Sequence, residues 1–235
     1  MRDDWRVLPL EVGEARVLLE RGLALLEGLA SDPTPTLRWY QASAPVLVLG
    51  RGQAGTFGDN DGLAVLTRFS GGGAVLLDAD ILSLDVLLPA GHPSLEGDLG
   101  TVFMRVGGAW ARALRSLDIP DVTVWDGPWT ARRRGTDREQ LVAAICYATL
   151  GRGEVLAGGR KLVGLAQRRR RQGALIQCGL LRRWQPAPLL CALGADPDDT
   201  EVHHHAVGLA DLLADPPPDP ILMHAVEREM RTAGS

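Results

Sequence analysis

The sequence predicts an α+β fold with helices packed on mostly antiparallel sheets, and three observations carry that expectation. Strand-like runs outnumber helical ones along the 235 residues. The helical runs are nonetheless long enough to cover a sheet face. Glycine and proline punctuate the strand-like runs as hairpins require, above all at Gly158-Gly159. A chain of this length can bury a substantial core, as one large domain or two small ones.

Taken in order, Glu14 to Leu29 places Ala, Val and Leu at helical spacing among strong helix formers, and Pro33 and Pro35 end that first helix. Leu37 to Leu49 (LRWYQASAPVLVL) predicts two short strands interrupted at Pro45 and closed by Gly50-Arg51-Gly52-Gln53. A strand over Leu63 to Phe69 leads into Ser70-Gly71-Gly72-Gly73, and a strand pair covers Ala74 to Pro89. Small and apolar residues from Thr101 to Leu117 predict a second helix, and Val122 to Trp125 a strand. Pro128 to Glu139, polar and charged with Arg132 to Arg134 in a row, reads as a mobile loop. Glu154 to Gln167 reads as a hairpin turning at Gly158-Gly159, with Gly173 to Leu181 as its next strand. Beyond Trp184 the chain reads as helical, broken at Asp196 to Asp199 and at Pro216-Pro217-Pro218.

With 25 Lys and Arg against 29 Asp and Glu, a net charge of -4, nothing general points to nucleic acid as a partner. The run Arg168-Arg169-Arg170-Arg171, followed by Arg182 and Arg183, is a local exception that by itself reads as a solvated face. Cys146, Cys178 and Cys191 are odd in number and lack paired spacing, against a disulfide framework or zinc knuckle. No basic-then-apolar leader and no apolar run near the ~18 residues of a membrane span are present, so a cytoplasmic enzyme or binding domain without a membrane partner is expected. Lys161 is the sole lysine in a chain that otherwise uses arginine for every positive charge. An ammonium is a compact charge that donates three bonds, whereas a guanidinium is planar and diffuse, so the exception points to a chemical need; the alternative is a coding bias that missed one position.

Arg68-Phe69-Ser70-Gly71-Gly72-Gly73-Ala74-Val75 is the strongest local motif. Three glycines leaving a strand let the backbone approach a ligand and aim N–H groups at a carbonyl, carboxylate or phosphate. The turn lacks the Lys-Ser/Thr ending of a P-loop and the spacing of a dinucleotide fingerprint. By itself it reads as a tight turn more readily than as a site.

These residues resemble the RRxSGGGAV motif of the lipoate-protein ligase A and octanoyltransferase superfamily, whose catalytic domain is related to biotin ligases. Gly159 to Gln167 (GRKLVGLAQ) resembles that family's GRKxxGxAQ motif; Pro45 to Gln53 (PVLVLGRGQ) and Gly173 to Leu181 (GALIQCGLL) fall in family order before and after. The resemblance implies a biotin/lipoate ligase-like catalytic domain over residues 1–235. It makes Lys161 the contact to the acyl carbonyl and any attached phosphate, and Gly71, Gly72 and Gly73 the wall of an acyl tunnel supported by Arg68 and Ser70. Ala74, Gly164, Ala166 and Gln167 are further substrate-binding positions on the same ground. A fixed ammonium with backbone N–H groups suits the charge that develops on an acyl oxygen. Val75, Leu77, Leu162 and Val163 are candidates to line the apolar slot.

The family holds two chemistries: ligases that activate a free acid with ATP and Mg, and transferases that take octanoyl from acyl carrier protein through a cysteine thioester without a cofactor. Cys146 precedes Lys161 by fifteen positions, a spacing that resembles the cysteine/lysine octanoyltransferases. An ammonium near a thiol favours the thiolate, which gives that spacing a chemical reason. Cys191, in the apolar context PLLCALG, reads as core. The ~50 residues after Trp184 are fewer than the ~100 of a typical independent domain, so no separate accessory domain is expected there. Octanoyl or lipoyl transfer to the lysine of a lipoyl domain, that of glycine cleavage H protein or of a 2-oxoacid dehydrogenase E2, is therefore the expected activity. ATP-dependent ligation is the alternative. The family's GGGAVxHD and LQHG histidines are replaced here by Leu77 and Cys178, which leaves a non-catalytic acyl- or lipoyl-domain-binding paralogue as a third reading. His203-His204-His205, without a carboxylate at ligand spacing, reads as a surface helix end, and no metal site is expected.

Overall fold

Pattern and punctuation sort this chain into two sheets in the computed structural model, which describes residues 5–55, 63–130 and 136–232. The described elements begin with β1 (Arg6–Gly13), α1 (Ala15–Gly28), β2 (Thr36–Ala42), β3 (Val46–Leu49), β4 (Val65–Thr67), β5 (Val75–Leu77) and β6 (Ile81–Pro89). They continue with α2 (Leu99–Arg115), β7 (Val122–Val124), α3 (Asp137–Ala144), β8 (Val155–Ala157), β9 (Arg160–Arg170) and β10 (Gly173–Leu181). Four helices follow: α4 (Ala187–Ala192), α5 (Thr200–His205), α6 (Leu209–Leu212) and α7 (Asp219–Thr232). The large sheet runs β1-β2-β6-β10-β9-β8-β7 and is antiparallel except where β1 meets β2. The small sheet runs β4-β3-β5, with β3 parallel to β4 and antiparallel to β5.

Alternation along β6 and β10 divides the core. Leu82, Leu84, Val86 and Leu88, with Ala174, Ile176, Cys178 and Leu180, pack against α2 and α7 through Val102, Val106, Trp110, Leu222 and Val226. Leu87 and Leu175 point the other way, onto Leu26 and Leu29 at the end of α1. At about 1.5–3 kcal/mol for each fully buried aliphatic side chain, these two faces supply most of the drive to close the large sheet.

A buried ion pair crosses the α1 face. Arg38 on β2 and Asp85 on β6 are each 1% exposed and meet at 2.9 Å, while Arg38 also donates to Glu11 Oε2 and to the carbonyl of Leu18. Burial raises the Asp85 carboxyl to about 6 despite the neighbouring guanidinium. Gly22 makes room for the pair: a Cβ there would stand 2.7 Å from Asp85 Oδ2.

The α+β expectation holds, as do the first two helices and the Gly158-Gly159 hairpin, whose φ values of +55° and +76° make the two-residue turn natural to glycine. The chain around Pro45 does form two strands, but they enter different sheets. The strand pair expected over Ala74 to Pro89 is corrected likewise: β5 and β6 belong to separate sheets and do not pair. β1 was not anticipated; Pro9 and a register irregularity between Leu8 and Glu11 disguise it, and both are tolerated because β1 is an edge strand. The loop expected over Pro128 to Glu139 gives way to α3 from Asp137; Thr136 and Glu139 cap each other's backbone N–H, a T-x-x-E box visible in the sequence. Residues 131–135 lie outside the described residues. No helix among those described is long and apolar enough to cross a membrane.

Replacing Asp85 by Ala leaves Arg38 buried with Glu11 as its remaining carboxylate. We expect a loss of about 3 kcal/mol, the low end for orphaning a buried charge, read from urea unfolding midpoints.

Candidate active site

Arg68 folds the glycine turn around itself. Buried at 7% exposure just past β4, it donates from Nη2 to the carbonyls of Gly71 and Gly73, both at 2.8 Å, and from Nε to Gly71 at 3.1 Å. Gly72 sits at φ +98°, open to glycine alone without strain, and a Cβ there would lie 2.7 Å from Arg68 Nη2. A Cβ on Gly73 would stand 2.6 Å from the Cys146 amide nitrogen. That close approach is sealed by a parallel bridge between Ala74 and Ile145, in which Ala74 N–H donates to Ala144 and Cys146 N–H donates to Ala74. Ser70, almost fully buried, donates to Gln177 Oε1 at 2.7 Å. Ser70 and Ala74 therefore brace the loop from behind.

Cys146 opens a single 3-10 turn, Cys146–Ala148, directly after α3. Lys161, near the start of β9, reaches beneath that turn at 1% exposure. Its Nζ donates to the carbonyls of Cys146 at 2.8 Å and Thr149 at 3.1 Å, and meets Glu154 Oε1 at 2.6 Å. An ammonium has three N–H bonds, and all three are engaged. Glu154 in turn accepts from the amides of Gly151 and Leu165. Sequence reasoning missed Glu154; a lone acid at a hairpin entrance carries no motif, and the one clue was that a buried lysine demands a counter-ion.

Two hollows meet at Cys146. A narrow apolar slot lies between the sheets, walled by Val48, Val75 and Leu77 of the small sheet and by Tyr40, Gly164 and Gly179 of the large one. A second, wider cleft is lined by Gly71 to Gly73, Trp129, Glu154, Lys161 and Gln167. Arg68, Cys146, Leu165 and Ala166 border both. Cys146, half-buried, thus stands where an apolar chain held in the slot would present its end to the cleft.

Val75 and Leu77 line the slot as expected. Leu162 and Val163 do not: both are fully buried in the core shared with α2 and α7, and Gly164, Leu165 and Ala166 take their place. Cys191 is exposed on α4 and not core, since Leu189, Leu190 and Ala192 occupy the inner side of that helix. Cys178 and Leu77, at the positions of the replaced histidines, both touch the slot, and burial pushes the Cys178 thiol up to about 12. Along β9 and the turn after it, Arg168 is half-buried and Arg169, Arg170 and Arg171 are exposed. His203 to His205 close α5 as a helix end, with Glu201 3.9 Å from His205, a carboxylate one turn away that the sequence reading overlooked.

Iodoacetamide at mildly alkaline pH should therefore alkylate Cys191 and Cys146 in the folded protein and Cys178 only after unfolding, as peptide mass spectrometry would resolve; early modification of Cys178 would contradict its placement.

The lipoyl protein ligase A/B catalytic domain model matches residues 18–219. An octanoyltransferase LipM of Moorella thermoacetica is 30% identical over 227 residues, covering 90% of this chain and 79% of that protein. Among solved structures, lipoate-protein ligase A bound with ATP superposes with a TM-score of 0.72 at 20% identity, covering 97% of this chain and 84% of that one. A bipartite lipoate protein ligase from Thermoplasma acidophilum, studied with its E2 lipoyl domain, gives 0.73 at 18% identity, covering 97% and 82%. Because that family model spans most of the sequence, the chain belongs to the lipoyl protein ligase A/B catalytic domain family.

Proposed function

We propose that this protein moves an octanoyl group from acyl carrier protein to the lysine of a lipoyl domain through a thioester on Cys146. The observation that carries this reading is the position of Cys146, half-buried at the junction of an apolar slot and an open cleft, with its backbone carbonyl accepting from the Lys161 ammonium. Similarity to an octanoyltransferase over 90% of the chain supports it.

In the first step the Cys146 sulfur attacks the octanoyl thioester of the carrier. The new C–S bond forms, the carrier's C–S bond breaks, and the carrier thiol leaves with the proton Cys146 gave up. In the second the neutral amine of the acceptor lysine attacks the Cys146 thioester; an amide forms, the C–S bond breaks, and the amine's proton returns to Cys146. A thioester is already activated, so neither step calls for ATP. The acyl chain would lie in the slot between Val48, Val75 and Leu77. Lys161, anchored by Glu154, would hold positive charge beside the reacting sulfur and fix the Cys146 turn against the glycine loop. Arg68, Gly71, Gly72, Gly73, Gly164, Ala166 and Gln167 would form the walls that orient the carbonyl, with Ser70 and Ala74 supporting them. Acyl carrier protein and the lipoyl domains of glycine cleavage H protein or of a 2-oxoacid dehydrogenase E2 are the proposed partners, in the cytoplasm. The Arg168 to Arg171 edge, adjoining Gln167 on β9, would steer acidic partners towards the cleft.

The test is mass spectrometry of a lipoyl domain incubated with the protein and octanoyl-carrier protein without ATP, beside a reaction with free lipoate and ATP. Octanoylation in the first mixture, abolished in Cys146→Ala, is the expected result. Modification in the second alone would establish the ligase reading; silence in both would favour a binding paralogue.

A further inference from the structure

Gln167 is the one residue lining the cleft, among those described, whose side-chain donor is buried with no acceptor. Its Nε2 and its Oε1 are both shielded from solvent and neither has a hydrogen-bond partner. Its backbone is held in the β9/β10 ladder opposite Ile176, so the side chain is presented from a rigid strand. A buried carboxamide without partners is rare in folded proteins, and at a cleft it marks a group kept for a ligand.

The neighbouring cations cannot easily fill the same need. All three N–H bonds of Lys161 go to Glu154, Cys146 and Thr149, and Arg68 serves the carbonyls of Gly71 and Gly73. Lys161 thus places positive charge near Cys146 while its directed hydrogen bonds are committed to holding the turn. Beside the backbone N–H groups of Gly71 to Gly73, which border the same cleft, a side-chain donor would add a second directed hydrogen bond as the thioester oxygen becomes negative.

We propose that Gln167 Nε2 is a catalytic donor to the acyl carbonyl oxygen, forming its hydrogen bond as the tetrahedral intermediate develops, in both the loading of Cys146 and the transfer to the lysine. The carboxamide oxygen accepts from the attacking group's N–H in the second step. This assignment rests on the Cys146 thioester reading.

Gln167→Met keeps the length of the side chain and removes both polar atoms. Because the amide makes no hydrogen bond within the free protein, the variant should melt at the wild-type temperature or above it, while single-turnover rates of Cys146 octanoylation and of transfer to the lipoyl domain fall by about 100-fold with KM little changed. A thermal midpoint lowered by several degrees would show that the amide has a structural partner and would overturn the proposal. So would wild-type transfer rates in a normally folded Q167M. A wild-type protein that forms no Cys146 adduct would overturn the thioester reading and this assignment together, which separates the two failures.

Discussion

Everything about the site hangs on one buried ammonium. Lys161 is sealed from water, and a charge so placed is tolerable only when its partners replace the lost hydration. Glu154 provides the opposite charge, and the carbonyls of Cys146 and Thr149 take the remaining N–H bonds. Those contacts tie β9 to the Cys146 turn. The turn is tied in its own right to the glycine loop through Ala74 and Ala144, and the loop to Arg68. Removing the charge at either end of this chain of contacts would release the geometry around the cysteine, so electrostatics and architecture are here a single constraint.

The slot exists because the two sheets face each other without filling the space between. Tyr40, Ser83 and Gln177 of the large sheet carry short or hydrogen-bonded polar groups towards it, while Val48, Val75 and Leu77 close it from the small sheet. Behind that wall the Arg38 and Asp85 pair fixes β2 to β6. Gly179 shows how little space remains at one end: a Cβ there would stand 2.7 Å from the Tyr147 hydroxyl, which donates to the Gly179 carbonyl. Small residues leave a gap at the cysteine, and larger ones seal it elsewhere.

Much of the fold was legible because local rules and tertiary demands agreed. α1 and α2 show apolar residues at helical spacing, and the Gly158-Gly159 turn could hardly be anything but a tight hairpin. What was missed lay where they disagreed. β1 carries a proline that only an edge strand accommodates, and α3 follows an arginine-rich stretch that conceals its capping box. Leu162 and Val163 looked like slot residues from their place beside Lys161. A register irregularity between β8 and β9 sits beside them, and both side chains belong to the core.

The sequence by itself determined the family, the α+β class and the short list of reactive groups, since a sole lysine, a glycine triplet and a cysteine at a set spacing are facts of composition and order. It could not name Glu154, distinguish a committed ammonium from a free one, or show that the Gln167 amide is shielded from solvent and unpartnered. Those depend on residues far apart in the chain meeting at hydrogen-bond distance. Directed hydrogen bonds and burial are properties of three-dimensional neighbours, so only the tertiary structure decided which polar groups at this site are already engaged and which remain for a ligand.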